Sequence, residues 1–226
     1  MNESQQRPLR PIKSFVLRTG RMTQAQKNAY EDLWPKYGLS SQQGLLAEQA
    51  KPVVLEIGFG MGESLVMMAK QQPQQHFIGI EVHRPGVGRI LRRIEEEQLD
   101  NLQVYAEDAL EVLKHSIAAN RLSKVQIFFP DPWHKSKHHK RRIIQPDFIQ
   151  LLREKLVIGG QIHLATDWQH YAEHMLEVMQ AAQGFSNLSP QGGFIERPDY
   201  RPLTKFEQRG QRLGHGVWDL LFEKSA

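Results

Sequence analysis

The chain of 226 residues fits one domain, and its 40% hydrophobic content suffices for a buried core. Its 29 Lys and Arg against 25 Asp and Glu give a net charge of +4 and a pI near 9.3, which points to an anionic partner. The absence of cysteine excludes disulfides and thiolate chemistry. No run reaches the roughly 18 to 20 apolar residues of a membrane span, and the N-terminus lacks the apolar stretch of a secretory signal, so a cytoplasmic protein in a reducing compartment is expected.

Residues 1–22 are polar, broken by Pro8 and Pro11, and basic through Arg7, Arg10, Lys13, Arg18 and Arg21. They are expected to form a flexible arm ahead of a single domain over 23–226. Thr23 with Gln26 three residues on predicts a capped helix with Ala29, Tyr30 and Leu33 on one face, ended by Pro35 and Gly38. Residues 39–51 read as a connector. From Pro52 onward, strand-length apolar runs at 53–57, 77–82, 102–106, 125–129 and 161–165 alternate with helical patterns at 62–71, 86–98, 109–119, 147–155 and 169–182. That alternation predicts an α/β fold, a mostly parallel sheet with helices on both faces. Gly159-Gly160 marks the turn into the fifth strand, and two further runs at 185–188 and 217–222 suit an antiparallel edge pair, seven strands in all.

The first of these strands runs into Glu56-Ile57-Gly58-Phe59-Gly60-Met61-Gly62, with Glu63 opening the next helix. Glycines at such a corner permit a tight turn and close backbone approach to a ligand. A dinucleotide fingerprint needs its third glycine at position 63, and an acid there repels a pyrophosphate, which counts against a nicotinamide cofactor. S-adenosylmethionine has no phosphate and carries a cationic amino group that Glu56 can pair. The E-x-G-x-G-x-G spelling resembles the cofactor loop of Rossmann-like methyltransferases. Glu81 ends the second strand where an acid can accept from ribose hydroxyls, and Glu107-Asp108 after the third offers an acceptor for an adenine amino group. Taken alone, Asp108 reads as a helix cap.

The fourth strand ends in Phe128-Phe129-Pro130-Asp131-Pro132-Trp133. The prolines fix their own φ and restrict Phe129 and Asp131, so the Asp131 carboxylate is held on a stiff corner at the ligand edge. The spelling P-D-P-W departs from the N/D-P-P-Y/F/W pattern of amino-methylating enzymes. A ring nitrogen such as guanine N7 attacks with an in-plane lone pair and has no proton to lose, so a carboxylate beside it orients the base and offsets developing charge. The run from Lys135 to Arg142 that follows suits phosphate contacts, although a charge run is also the ordinary make-up of a solvated face. His134, His138 and His139 lack accompanying acids, and no H-E-x-x-H pattern exists, so no metal is expected. Asp167, in Ala165-Thr166-Asp167-Trp168, is placed either to cap the next helix or to hold a base edge. Thr204-Lys205-Phe206-Glu207 suits a nucleotide clamp or a plain surface turn.

Read in order, LEIGFGMGES, GIEVHRPG, FFPDPWHKSKHHKRR, ATDW and TKFE resemble the bacterial tRNA (guanine-N7-)-methyltransferase family over nearly the whole chain, roughly 14–222. The resemblance implies a class I, Rossmann-like methyltransferase fold with S-adenosylmethionine as cofactor. It implies cofactor contacts from Glu56, Gly58, Gly60, Gly62, Glu81, Asp108 and Asp131, with Asp131 catalytic. Lys135, Asp167, Thr204, Lys205, Phe206 and Glu207 are implied to touch the substrate nucleoside, and Lys137, His138, His139, Lys140, Arg141 and Arg142 to meet RNA. The implied substrate is the guanosine at position 46 of the tRNA variable loop. The alternatives are a methyltransferase on another RNA or on protein, or a non-catalytic RNA-binding module with a decayed cofactor pocket. A monomer is expected, with a homodimer as the alternative.

Overall fold

Val53, Val54, Leu55, Glu56 and Ile57 are all buried, and the strand they form has parallel neighbours on both sides. A strand covered on both faces needs no polar alternation, which is why this segment reads as an almost unbroken apolar run. The computed structural model describes residues 14–15, 20–46, 50–204, 207–208, 212, 214 and 216–226. Helix α1 (Gln24–Tyr37) and a two-residue strand β1 (Gly38–Leu39) lead into β2 (Val53–Ile57), α2 (Glu63–Gln71), β3 (His76–Ile80), α3 (Arg84–Glu96), β4 (Leu102–Tyr105) and α4 (Ala109–His115). They are followed by β5 (Leu122–Phe128), α5 (Pro146–Lys155), β6 (Leu156–Thr166), α6 (Gln169–Ala181), β7 (Phe185–Asn187) and β8 (Trp218–Lys224), with short 3-10 turns at Ser41–Gln43 and Ser136–Arg141.

The sheet order is β1-β4-β3-β2-β5-β6-β8-β7. The chain therefore reverses its direction of travel across the sheet between β2 and β5, the crevice where open α/β sheets hold ligands. Alternate residues feed two cores. Val53, Leu55 and Ile57 join Val112, Ile149 and Met175 of α4, α5 and α6, whereas Val54 joins Leu65 of α2 and Ile90 of α3. Helices thus cover both faces, as the alternation of patterns predicts. Among the described residues no helix is long and apolar enough to cross a membrane.

The sheet has eight described strands where the sequence predicts seven. The addition is β1, which pairs in parallel with Val104 and Tyr105 of β4 and lies at the start of the expected connector. Two residues are too few to show a periodic signal. The final pair stands at the edge as expected. Only β8 runs against the sheet, between β6 and the outermost β7. Strand β6 begins before Gly159-Gly160, with Gly159 at φ 76 inside it, so these glycines bend a strand instead of preceding one. The Thr23 and Gln26 side chains form the predicted reciprocal cap of α1, yet Pro35 lies inside the last turn and the helix continues to Tyr37. Of the expected arm, only Ser14, Phe15 and residues 20–22 are among the described residues.

Helix α3 approaches the loop after β2 so closely that a Cβ on Gly86 would lie 2.0 Å from the carbonyl oxygen of Gly60. Backbone on both sides of that contact cannot rotate away. The Gly86→Ala variant is expected to lower the melting midpoint by roughly 2 to 10 °C through overpacking. A calorimetric scan checks this, and a wild-type midpoint would show that the loop and α3 separate without cost.

Candidate active site

Gly58, Gly60 and Gly62 adopt φ of 79, 58 and 75°, values that residues with a Cβ reach only under strain, and together they turn the chain from β2 into α2. Behind this loop Glu56 is 3% exposed, and its Oε2 has no hydrogen-bond partner among the described residues. Burial, reinforced by the charge of Glu81, pushes the Glu56 carboxyl up to about 8. Glu81 is organised differently. Its Oε2 accepts from Gly60 N at 2.9 Å, and its Oε1 accepts from Val82 N at 2.7 Å and His83 N at 2.9 Å. The acid at the end of β3 therefore holds the glycine loop at the end of β2.

Asp108 accepts from Leu110 N at 3.0 Å and caps α4, realising its helix-cap reading, while also lining the same cleft. Glu107 beside it accepts from the backbone and hydroxyl of Ser41. The cleft has a volume of about 220 Å³ and brings together Gly58, Glu81, Asp108, Phe129 and Asp131 of the four central strand ends, with Phe15 of the N-terminal segment. Glu56, Gly60 and Gly62 are not among the residues that line it.

The Phe129 to Trp133 corner is more strained than its prolines alone predict. Phe129 precedes Pro130, which favours an extended backbone, yet it adopts φ 52°, and Trp133 adopts φ 47°. Left-handed geometry at such bulky residues costs on the order of 1–3 kcal/mol each and persists only where surrounding contacts enforce it. Here Phe129 N donates to Ala165 O at 2.8 Å, Trp133 Nε1 donates to Ser14 O at 3.1 Å, and the Arg141 guanidinium lies 3.8 Å from the centre of the Trp133 ring. Arg142 Nε donates to Pro132 O at 3.0 Å while its guanidinium packs over Tyr171 of α6. Between these braces Asp131 is exposed, with no hydrogen bond or ion pair to its carboxylate among the described residues.

Arg142 corrects the expectation of a six-residue RNA face. It is 4% exposed and turned inward, and burial pulls its pKa down. Lys135, Lys137 and Lys140 are exposed, whereas His138 and His139 are half-buried, His138 with its ring edge-on to Trp133. Among the described residues no three His, Cys, Asp or Glu side chains converge as a metal ion requires.

Asp167 does not cap α6, whose N-cap is Trp168 without a side-chain hydrogen bond. Thr204 and Glu207 form a reciprocal capping box: Thr204 N donates to Glu207 Oε2 at 3.1 Å and Glu207 N to Thr204 Oγ1 at 3.2 Å. Glu207 is 1% exposed, with Oε1 2.7 Å from Arg201 Nη1, so its carboxylate is committed inside the protein and does not face a nucleoside. Lys205 and Phe206 lie outside the described residues.

The sequence reading missed Arg201 and the residues it gathers. Arg201 is buried, donates to both oxygens of Asp219 at 2.7 and 2.8 Å, and lies with its guanidinium carbon 5.6 and 5.7 Å from the rings of Phe128 and Phe129. Asp219 Oδ1 also meets His163 Nε2 at 2.8 Å, and His163 Nδ1 meets the Tyr200 hydroxyl at 2.9 Å. Burial holds His163 below its ordinary pKa against the pull of Asp219. A histidine and an aspartate inside otherwise apolar strands were the available signal.

A carboxyl with an ordinary value of 4.5 and a folded value of about 8 binds its proton more tightly in the fold than in the unfolded chain. Stability therefore falls as pH rises from about 4.5 to about 8 and then levels. Glu56→Gln is expected to match wild type near pH 4.5 and to be more stable above pH 8 by roughly 3–5 kcal/mol. Denaturant unfolding at the two pH values checks it; a variant no more stable than wild type at pH 9 would remove the buried-charge account.

A family described as putative methyltransferase matches residues 50–220. A tRNA (guanine-N(7)-)-methyltransferase of Alcanivorax borkumensis is 57% identical over 223 residues, covering 96% of this chain and 93% of the relative. One from Pseudoalteromonas atlantica is 58% identical with the same coverage, and one from Shewanella frigidimarina is 57% identical over 96% of this chain and 94% of its own. Among solved structures, the 16S rRNA methyltransferase KamB aligns with a TM-score of 0.57 at 14% identity, over 92% of this chain and 97% of that one. An rRNA methylase from Streptococcus thermophilus aligns at 0.52 and 11% identity, over 82% and 92%. At such identities the structural likeness speaks for the fold, which is that of Rossmann-like methyltransferases. With near full-length identity above half to several relatives of one name, the chain belongs to the tRNA (guanine-N7-)-methyltransferase family.

Proposed function

We infer that this protein methylates guanine N7 in tRNA, with S-adenosylmethionine as methyl donor and the variable-loop guanosine at position 46 as target. The observation that supports it best is Glu56. A buried carboxylate oxygen without a partner, at the end of the central strand and behind a glycine loop, calls for a cation, and the donor's amino group is one. Glu56 would hold that group. Gly58, Gly60 and Gly62 would admit it closely, Glu81 would accept from the ribose and Asp108 from the adenine. The donor supplies an electrophilic methyl group on a sulfonium.

Asp131 stands on the stiff corner that closes the same cleft. Because N7 carries no proton, Asp131 has none to remove, and the purine becomes cationic as it is methylated. A fixed carboxylate offsets that charge without reorganising. Asp167 and Lys135 would hold the base edge, Lys135 at O6, since N7 must stay free to attack. Glu207 acts by fixing the start of the loop that carries Lys205 and Phe206. Lys137, His138, His139, Lys140 and Arg141 form the RNA side, and Arg142 braces the corner from within.

Asp131→Asn is expected to lower kcat on the order of a hundredfold while cofactor affinity measured by calorimetry changes little. Turnover near wild type would remove its assigned role. The paired variant Lys137→Ala with Lys140→Ala is expected to shallow the slope of log affinity for tRNA against log salt by about 1.4–1.8, the loss of two phosphate contacts. Arg142→Ala should instead lower the melting midpoint and leave the slope in place. A slope unchanged in the paired variant would take the turn out of the RNA interface.

A further inference from the structure

Of the four tryptophans, Trp168 is the exposed one, at 38%. Trp34 stacks on Tyr30, Trp133 is tied to Ser14, and Trp218 lies within β8. Trp168 is also held in place. Its backbone N–H donates to the hydroxyl of buried Thr166 at 3.3 Å, and the exposed His134 meets its indole ring edge to face with centroids 4.2 Å apart. The two residues come from different strand ends. His134 follows β5 and Trp168 follows β6, and the pairing of Phe128 with Ala165 brings those ends out at one edge, the edge that carries Asp131 and Asp167.

We propose that Trp168, propped by His134, is the stacking platform on which the target guanine rests, and that its π face grips the base more tightly as the base becomes cationic. A base taken out of its stack is commonly held on an aromatic side chain. The reaction adds a second attraction. The N7 lone pair forms the new N–C bond while the S–C bond breaks, and its electron pair stays on sulfur, so one positive charge passes from the donor to the purine. Tryptophan is the side chain that attracts a cation over its face most strongly. Asp131 and Trp168 then act on the same charge from different directions, the carboxylate by attraction in the plane of the corner and the indole through its ring. This inference rests on the reading that guanine is presented at the Asp131 edge.

Trp168→Leu is expected to raise KM for tRNA about tenfold, the usual effect of losing one stacked base, and to erase any preference in binding for 7-methylguanosine-containing product over unmodified tRNA. Trp168→Phe should fall between Leu and wild type on both counts, with cofactor affinity unchanged in each. A Leu variant with wild-type KM and an undiminished product preference would overturn the proposal. Should the Leu variant melt early, fluorine NMR of the wild-type chain labelled with 5-fluorotryptophan gives the answer. The Trp168 resonance, identified by its loss in the Phe variant, should move on adding tRNA and move further with the methylated product; a stationary resonance overturns the platform. Asp131→Asn separates the two readings. If it retains turnover, the edge reading fails and the platform with it, whereas a crippled Asp131→Asn beside a normal Trp168→Leu defeats the platform alone.

Discussion

The parallel register of β2, β3, β4, β5 and β6 sets everything at the site. It extends one residue beyond the strands themselves: Gly58 N donates to Ile80 O at 2.8 Å, Glu81 N to Tyr105 O at 3.1 Å and Phe129 N to Ala165 O at 2.8 Å. Each of these residues opens a loop at the ligand edge of the sheet, and each is anchored by a carbonyl at the end of the neighbouring strand. Loop positions therefore inherit the precision of the sheet, which is where a constellation of catalytic groups is best supported. A slip of one residue in β2 would send Glu56 to the opposite face and Leu55 behind the glycine loop.

The charge pattern follows from that frame. Glu81, Asp108 and Asp131 come from three strand ends and line one cleft, with Glu56 buried at the end of β2 outside that lining, while Lys135, Lys137 and Lys140 stand on the exposed turn. On the proposed reading, the acids would serve the cationic donor and the purine that becomes a cation, and the lysines the polyanion. The buried acid is the costly one. Burial and the charge of Glu81 raise the Glu56 pKa to about 8, and its Oε2 has no hydrogen-bond partner among the described residues, so a cation placed beside it would reverse that shift.

What was legible in the sequence follows the physical range of each signal. Buried strands such as 53–57 and crossover helices announce themselves by composition and period, and the strand-end acids follow by topology. The two-residue β1 is shorter than any period. Phe129 at φ 52° defies a local rule because contacts to Ala165 and, through Pro132, to Arg142 outweigh the preference of a residue before proline. A run of like charges has no period either, so nothing in Arg141-Arg142 tells that the first covers Trp133 and the second turns inward. Thr204 to Glu207 is a different case. Its T-x-x-E spelling is the capping signature already recognised in Thr23 to Gln26, and reading it so at both places would have turned Glu207 inward.

The partners of Arg201 tie the Thr204 and Glu207 cap to the central strands. Glu56, Gln126 and His163 stand in register on adjacent strands β2, β5 and β6, and His163 meets Asp219, which accepts from Arg201. A buried guanidinium is tolerable only when it is paired, and Asp219 accepts two hydrogen bonds from it while Glu207 lies in ion-pair range of its Nη1. Removing Arg201 or Asp219 strands the other charge in a dry interior, which couples the Arg201, Asp219 and His163 side chains. Glu207, paired with Arg201, also bonds Thr204, and the guanidinium itself lies against Phe128 and Phe129, so Thr204 and Glu207 are tied to the start of the Asp131 corner. Both sides of the crevice are thereby referenced to one rigid sheet. That is the condition under which a ring nitrogen with a single in-plane lone pair can be held in line with a methyl group.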